Sequence, residues 1–219
     1  MNRIPIQPEL SRFPEEFHDL LTRHRVYDSS CSEGARVYFI DGDGGLFLKT
    51  ADRGALSREA VMTRYFHKKC LGAQVLGYRS LEQDWLLTAR VPGEDCLDKG
   101  YLDDPPRLCD TLAEAARNLH SIDLSDCPIP IAPDADFRPV LIHGDFCLPN
   151  VMLDDWKLRG FIDLGDAGPG DRHVDLFWAM WSMGYNLGTN RYGPRFLDAY
   201  GREDYDPARL HAVASAVKF

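Results

Sequence analysis

Short β-prone runs separated by turn residues dominate the first ninety residues of the chain. Such runs occupy residues 26–28, 35–40, 46–50, 74–80 and 84–91. Runs of this length that are bounded by Gly, Ser, Asp and Pro predict the strands of an antiparallel sheet. This part of the chain is therefore predicted to be mainly β.

A helix and a tight turn interrupt these strands. Apolar residues recur at helical spacing through residues 56–70, and Ser57 is a candidate N-cap. The stretch DGDGG at residues 41–45 superficially resembles a calcium loop or a phosphate-binding loop. It lacks the later acidic ligand of the first and the Lys-Ser/Thr pair of the second, so the sequence favours a hairpin turn.

Helical periodicity dominates the rest of the chain. The dipeptide Pro92-Gly93 is a natural break, and we place a boundary there between residues 1–91 and residues 92–219. Beyond it, Pro105-Pro106 opens a helix with one apolar face that runs to His120. Three short apolar runs and three further helices are predicted at residues 140–143, 150–153, 159–163, 173–185, 195–200 and 207–217. The pattern as a whole predicts an α+β protein.

An aromatic group lies in the first of those last three helices. Phe177, Trp178 and Trp181 are spaced along one side of it and suggest a ligand-stacking surface as one interpretation. Aromatic side chains at helical spacing more often belong to the core, so we interpret them as packing residues.

Composition excludes several classes of protein. The chain has 219 residues, 44% of them apolar and 27% charged, and no apolar run approaches the length of a membrane span. The opening residues lack a signal-peptide core, so we expect a cytoplasmic protein. Six cysteines without metal-binding spacing are then expected to be reduced thiols; they stand at positions 31, 70, 96, 109, 127 and 147.

Net charge narrows the range of partners. The formal charge is −9 and the pI is near 5.2. Phosphate backbones are bound mainly by Lys and Arg, so no nucleic-acid partner is expected. A cationic partner is mildly favoured, although many acidic proteins are acidic for solubility alone.

The chemistry-bearing residues lie in two short segments, HGDFCLPN at residues 143–150 and GFIDLG at residues 160–165. Phosphoryl transfer needs a carboxylate beside the attacking hydroxyl, together with oxygen ligands for magnesium. Asp145 and Asn150 are five residues apart, the spacing of the kinase catalytic loop. Asp163, on the returning strand of a hairpin, would supply a second ligand to Mg²⁺.

These segments resemble the aminoglycoside phosphotransferase family, whose fold is the protein-kinase fold. The resemblance includes Asp171-Arg172 with Asp175, and the stretch HSIDLSDCP at residues 120–128 is similar to the subgroup that phosphorylates the 3′-hydroxyl of kanamycin-like drugs. It implies two lobes, the first an antiparallel sheet with one helix and the second mainly helical. It also implies ATP or GTP as co-substrate, Mg²⁺ and a cationic aminoglycoside acceptor.

The resemblance further implies a nucleotide-binding role for residues of the first lobe. Lys49 resembles the lysine that grips the α- and β-phosphates, and Glu59 the helix glutamate that pairs with it. Phe47, on the same strand face as Lys49, resembles the aromatic residue that stacks on adenine, although a core role is almost as well supported.

The remaining residues of the expected nucleotide site lie in backbone segments. Ala89 and Val91 stand where the hinge backbone of the family binds the edge of adenine. Ser32, in the loop SSCSEG, is expected to place polar groups near the phosphates, with an ordinary loop as the alternative.

In this interpretation Asp145 orients the acceptor hydroxyl and accepts its proton, whereas His143 has a structural hydrogen-bonding role. The leading activity is an aminoglycoside 3′-phosphotransferase. The alternatives are a kinase for another small hydroxylated metabolite, and a nucleotide-binding module with little or no catalysis.

The chain departs from the family pattern at three places. Only about a dozen residues lie between Pro128 and Val140, where relatives carry several dozen that form one wall of the acceptor site. Asp166 stands where relatives often have arginine. Lys218 stands where relatives have an acidic residue that contacts substrate amines.

Overall fold

The computed structural model of the protein describes residues 3–31, 34–42, 44–133 and 135–217. Internal contacts divide the chain into two compact units. The first comprises Met1–Arg64 and Ala73–Arg90, and the second comprises Tyr65–Gly72 and Val91–Phe219. Residues 65–72 thus belong to the second unit, whereas the predicted division at residue 91 assigns them to the first segment.

An antiparallel sheet forms most of the first unit. Its six strands, within the described residues, are β1 (Ile4–Ile6), β2 (Arg25–Asp28), β3 (Ala35–Asp41), β4 (Leu46–Asp52), β5 (Val75–Ser80) and β6 (Gln83–Ala89). They lie in the order β1-β2-β3-β4-β6-β5. Strand β1 and the short helix α1 (His18–Arg23) are additions to the predicted elements.

The two faces of this sheet have different neighbours. Alternate residues of a strand point to opposite faces, so Leu48 and Lys49 diverge. Leu48 and Ile40 are fully buried in a cluster with Phe13, Phe17 and Trp85.

Helix α2 (Ser57–Lys68) covers part of the other face. There Leu56 and Ala60 pack with Ala51 and Leu86. Helix α2 therefore lies on the same side of the sheet as Lys49.

The start of α2 is fixed by a buried carboxylate. The backbone amide of Leu56 donates to Asp84 Oδ2 at 2.9 Å, and Tyr78 Oη donates to the same oxygen at 3.0 Å. Ser57, the predicted N-cap, instead donates its hydroxyl to the Gly54 carbonyl. Asp84 is fully buried in strand β6, so the sheet itself holds this end of the helix.

Among its described residues, the second unit consists of helices and two small sheets. The helices after α2 are α3 (Lys99–Leu102), α4 (Pro105–His120), α5 (Arg172–Leu187), α6 (Gly193–Tyr200) and α7 (Pro207–Ala216). The strands are β7 (Glu94–Asp95), β8 (Val140–Ile142), β9 (Val151–Asp154), β10 (Lys157–Phe161) and β11 (Gly168–Gly170). Strand β9 lies between β10 and β7, and β8 pairs with β11.

The core of the second unit lies along α4 and α5. Helix α4 buries Leu108, Leu112, Ala116 and Leu119 on one face, the periodicity that the sequence predicts. On α5 the predicted packing residues Phe177 and Trp178 are partly buried and contact each other, with ring centroids 5.2 Å apart. Trp181 differs from the prediction, because it is 37% exposed and stacks on Tyr185 at the surface.

All six cysteines are free thiols. In the part of the chain that the structure describes, no helix has the length and apolarity needed to cross a bilayer.

Candidate active site

The segment HGD follows strand β8 directly and is anchored by a buried carboxylate on helix α5. Asp175 is fully buried. Its Oδ2 accepts from the backbone amide of His143 at 2.8 Å, and its Oδ1 accepts from the amide of Gly144 at 2.8 Å. Two successive backbone donors bound to the two oxygens of one carboxylate fix the orientation of the loop that carries Asp145.

Gly144 is required by a close approach of the chain. Its φ is +85°, in the region that favours glycine. A Cβ placed there would lie 2.6 Å from the carbonyl oxygen of Asp166 and 2.7 Å from the Asp166 Cβ. Asp166 therefore packs directly against the loop, and its side chain is exposed.

Asp145 and Asn150 form a direct pair. Asn150 Nδ2 donates to Asp145 Oδ2 at 2.9 Å and to the Asp145 carbonyl oxygen at 3.0 Å. Asn150 is buried, whereas Asp145 is partly exposed, so a ligand can reach this carboxylate. Both amide hydrogens of Asn150 are engaged with Asp145, which leaves the Asn150 Oδ1 oxygen as its site for a cation.

His143 links this pair to the strand that carries Asp163. Its Nδ1 accepts from the Asp145 amide at 3.2 Å and its Nε2 donates to the Ile162 carbonyl at 2.9 Å. A backbone amide can only donate and a carbonyl can only accept, so these contacts define a neutral imidazole with the proton on Nε2. His143 thus has the structural hydrogen-bonding role expected for it.

Asp163 adjoins the same loop through its neighbour in sequence. The Ile162 amide donates to the Asn150 carbonyl at 3.1 Å, so Ile162 is held by both His143 and Asn150. Asp163 itself is exposed and has a φ of +57°. The structure therefore brings the three residues predicted for catalysis and metal binding into one hydrogen-bonded region of the second unit.

The donor set fits a magnesium ion. Asn150 Oδ1 and the Asp163 carboxylate are hard oxygen ligands, and Mg²⁺ commonly takes one or two protein ligands while water and phosphate complete its shell. Among the described residues there is no cluster of three or more His, Cys, Asp or Glu side chains that would hold a metal by themselves.

A series of hydrogen bonds between side chains connects Asp175 to His120, Tyr200 and Arg172. His120 Nε2 donates to Asp175 Oδ2 at 3.1 Å, and His120 Nδ1 lies 2.8 Å from the Tyr200 hydroxyl. Arg172 Nη1 donates to the same hydroxyl at 3.2 Å, which leaves the hydroxyl proton for His120 Nδ1. Burial raises the pKa of Tyr200 to about 12, so this hydroxyl stays protonated at physiological pH.

No individual role was predicted from the sequence for His120, Asp175 or Tyr200. The positions of His120 and Asp175 in their helices could have indicated that both side chains are buried. His120 continues the apolar face of α4, and Asp175 lies beside Leu176 on the buried face of α5. A polar residue on a buried helix face needs a hydrogen-bonding partner, which marks it as a structural or functional position.

Cys147 is a further side chain near the carboxylate of Asp145. Burial, with a hydrogen bond to the Asp145 carboxylate as the next cause, raises the pKa of its thiol. Cys147 therefore remains a protonated thiol beside Asp145.

In the first unit Lys49 and Glu59 form a tight ion pair. Lys49 Nζ lies 3.0 Å from Glu59 Oε1 and 2.8 Å from Glu59 Oε2. The two side chains are only 18% and 10% exposed, so the pair is shielded from water. Strand β4 and helix α2 together place this amine above the sheet.

The other residues predicted for nucleotide binding are distributed around this sheet. Phe47 is partly buried, lies two residues before Lys49 on the same face, and packs against Phe39 with ring centroids 5.2 Å apart. Ala89 donates its amide to the Gln74 carbonyl at 2.9 Å.

Two further residues of the prediction are Val91 and Ser32. Val91 is the first residue of the longer segment of the second unit and is buried. Ser32 lies outside the described residues, as does Lys218.

The family is shown by comparison with known proteins. A model of the phosphotransferase enzyme family, abbreviated APH, matches residues 29–137 and 129–211, which is most of the chain. The chain therefore belongs to this family of phosphotransferases.

Particular relatives agree over nearly the whole length. The chain is 41% identical to a probable aminoglycoside 3′-phosphotransferase of Lactococcus lactis, with 96% of each chain covered. It is 27% identical to an aminoglycoside 3′-phosphotransferase of Enterococcus faecalis, with 97% of this chain and 98% of the relative covered.

Solved structures share the fold. A crystal structure of an aminoglycoside 3′-phosphotransferase of type VIII superposes with a TM-score of 0.71 at 24% identity, covering 85% of this chain and 89% of the other. A Streptomyces rimosus aminoglycoside phosphotransferase bound to ADP and streptomycin gives a TM-score of 0.68 at 22% identity, with 82% and 88% covered. The predicted α+β, protein-kinase-like fold is thereby confirmed.

The same comparisons show a shorter chain. The alignment with the Lactococcus lactis relative has 251 positions, but 96% of 219 residues is about 210, so about 40 positions have no counterpart here. The family match is divided into two segments that meet at residues 129–137. That division coincides with the short connection noted between Pro128 and Val140.

Proposed function

We propose that the protein transfers the γ-phosphate of ATP or GTP to the 3′-hydroxyl of an aminoglycoside. The observation that carries the proposal is the Asp145–Asn150 pair, held by Asp175 at the end of a strand and adjoining Asp163. The names of the relatives support the choice of acceptor, because the Lactococcus lactis and Enterococcus faecalis proteins are both described as aminoglycoside 3′-phosphotransferases.

In the proposed mechanism Asp145 orients the acceptor hydroxyl and takes its proton as the hydroxyl oxygen bonds to the γ-phosphorus. The bond from that phosphorus to the bridging oxygen breaks, and the nucleoside diphosphate leaves. Asn150 keeps the Asp145 carboxylate in one position and, with Asp163, would hold Mg²⁺. When bound, the metal ion offsets negative charge on the phosphates. Lys49, fixed by Glu59, would contact the phosphates. Most of the acceleration comes from positioning and electrostatics.

In this proposal the nucleotide is bound by residues of the first unit together with Val91 of the second. Phe47 would stack on the base, and the backbone of Ala89 and Val91 would bind its edge. None of the hydrogen bonds between described residues uses the Val91 amide, which agrees with such a role. The predicted division at residue 91, the role of Ser32 and the cytoplasmic location stay predictions.

One observation favours a second candidate function. The alignment with the Lactococcus lactis relative leaves about 40 positions without a counterpart here, and the family match divides at residues 129–137. In that connection Asp136 is paired with Arg209 at 2.9 and 3.0 Å. A polycationic acceptor needs several placed carboxylates. A kinase for a smaller hydroxylated metabolite, or a nucleotide-binding module with weak catalysis, is therefore the alternative.

The test compares cells that express this chain with cells that express Asp145→Asn. We expect raised resistance to kanamycin and neomycin for the first and none for the second, with equal amounts of folded protein. Purified Asp145→Asn should bind Mg·ATP normally and lose turnover by orders of magnitude. Asp163→Ala should mainly weaken metal-dependent nucleotide binding.

Three outcomes would change the assignment. Acceptor-stimulated nucleotide consumption with hydroxylated metabolites but not with kanamycin would indicate the smaller-acceptor kinase. Nucleotide binding without turnover on any acceptor would indicate the weakly catalytic module. Near-normal turnover of Asp145→Asn would remove Asp145 from its assigned role.

A further inference from the structure

The sheet face that carries Lys49 continues past Phe47 into a cavity. Strand register places Tyr27, Phe39 and Phe47 side by side in one row across β2, β3 and β4. Lys49 lies in the next row on one side of Phe47. On the opposite side is a cavity of about 420 Å³, within the range of small-molecule sites.

The lining of this cavity combines aromatic, charged and bare backbone groups. Its residues are Arg3, Tyr27, Phe39, Asp41, Gly42, Gly44, Gly45 and Arg90. Each belongs to the first unit. The cavity therefore lies within the unit that we propose to bind the nucleotide.

Arg3 has a defined position on this face. Its guanidinium carbon lies 3.6 Å from the centroid of the Phe39 ring and 6.0 Å from that of Phe47. The first distance is that of a cation stacked on an aromatic face, and Phe39 is only 5% exposed beneath it. Arg3 thus covers Phe39 and stands at the side of Phe47.

The glycines of the β3–β4 turn keep the cavity open. Gly45 has a φ of +94°, and a Cβ there would lie 3.0 Å from Phe39 Cε2 and 3.3 Å from Arg90 Cδ. The Gly45 carbonyl accepts from the Arg90 amide at 2.9 Å, which joins the turn to the end of β6. A side chain at position 45 would crowd the wall formed by Phe39 and Arg90.

We infer that Arg3 is a base-contacting residue of the nucleotide site, reaching the edge of a purine that stacks on Phe47. The inference rests on the proposed function. A planar guanidinium beside Phe47 presents N–H donors at the edge of a stacked ring, and purine ring nitrogens and carbonyl oxygens are acceptors. The phosphates would extend the other way, toward Lys49, which lies one row beyond Phe47.

Tripolyphosphate, a phosphate compound without a base, distinguishes a contact between Arg3 and the base from a general effect of the positive charge of Arg3. In Arg3→Ala we expect the Kd for Mg·ATP to rise about tenfold, the effect of losing a charge-assisted hydrogen bond and a stacked cation. Binding of adenosine should weaken by a similar factor. Inhibition by tripolyphosphate, which has no base, should change less than twofold.

Matched variants guard against indirect effects. Arg23→Ala removes the same charge from α1, where Arg23 pairs with Asp19 at the surface, and should leave all three affinities unchanged. Lys49→Met should weaken ATP and tripolyphosphate together. Should Arg3→Ala melt early, Arg3→Gln keeps an NH₂ donor on a shorter, uncharged side chain and is expected to bind ATP with an intermediate Kd.

Specific results would overturn the inference. They are an unchanged or lower Kd of Arg3→Ala for ATP, or an equal loss of ATP and tripolyphosphate binding. Failure of the wild-type protein to bind Mg·ATP would instead contradict the proposed function itself.

Discussion

Replacing Asp175 by asparagine tests how the catalytic loop is held. The Asp175 carboxylate accepts three hydrogen bonds in a fully buried position, from the amides of His143 and Gly144 and from His120. An asparagine has one oxygen, so its NH₂ group must face at least one of these donors. If the oxygen stays toward His143 and His120, the Gly144 amide loses its acceptor and meets a second donor.

The expected loss follows from that count. A hydrogen bond to a charged group contributes about 1.5–3 kcal/mol, and an unsatisfied buried donor costs a similar amount. Removal of the buried charge offsets part of this. We therefore expect Asp175→Asn to lower the free energy of unfolding by about 2–4 kcal/mol, a large share of the 5–15 kcal/mol typical of a domain.

The same substitution should affect catalysis. A displaced His143-Gly144 backbone moves Asp145, and a shift of about 1 Å in a reacting group can cost about 100-fold in rate. Urea unfolding followed by circular dichroism measures the stability. Turnover is then measured well below the unfolding midpoint of the variant, so that loss of folded protein does not contribute.

Asp198→Asn provides the control, since Asp198 is an exposed residue of α6 that forms an ion pair with Arg202 in the following turn. It should leave the urea midpoint and the turnover unchanged. A loss below about 0.5 kcal/mol with turnover within twofold of wild type would show that Asp175 does not anchor the loop as reasoned here.

Three further substitutions examine neighbouring features. Gly144→Ala forces a Cβ against the Asp166 backbone at positive φ, and should lower the free energy of unfolding by about 2–4 kcal/mol and abolish turnover. Gly54→Ala, at a φ of +89° in open space, should lower the free energy of unfolding by only about 1 kcal/mol. Equal urea midpoints for the two variants would contradict this reasoning. Asp166→Arg should lower the KM for nucleotide several-fold and Asp166→Asn less so, and an unchanged KM in both would place the phosphates away from this side chain. Because the pKa of Tyr200 is raised from 10 to about 12 in the folded protein, its contribution to the free energy of unfolding is fully present below pH 10 and is lost as the pH rises to about 12. Tyr200→Phe should therefore show a smaller decline over this range when urea unfolding is measured at each pH.

The sequence was most informative where chemistry depends on residues close together in the chain. The five-residue spacing of Asp145 and Asn150 contains the turn that joins their side chains, and the pair is found as a direct hydrogen bond. The apolar periodicity of α4 likewise determines its buried face. In both cases the geometry is determined by residues within one short segment, so it can be predicted from the sequence of that segment.

Contacts between distant segments were not predictable in the same way. Asp175 meets Gly144 across 31 positions, and His120 meets Tyr200 across 80. No local pattern encodes such pairings. The same reason explains why Asp84, and not the predicted Ser57, accepts the hydrogen bond at the start of α2. The exposure of Trp181 likewise depends on which distant segments pack near it.

The distribution of tryptophan gives the molecule a built-in optical probe. Of the four tryptophans, Trp85 alone belongs to the first unit, where it is buried against Phe13 and Phe17. Replacement of Trp156, Trp178 and Trp181 by phenylalanine would leave an emission signal from that unit only. Comparing the unfolding curve of this variant, followed by tryptophan emission, with that of the intact protein would show whether the two units unfold cooperatively or one after the other.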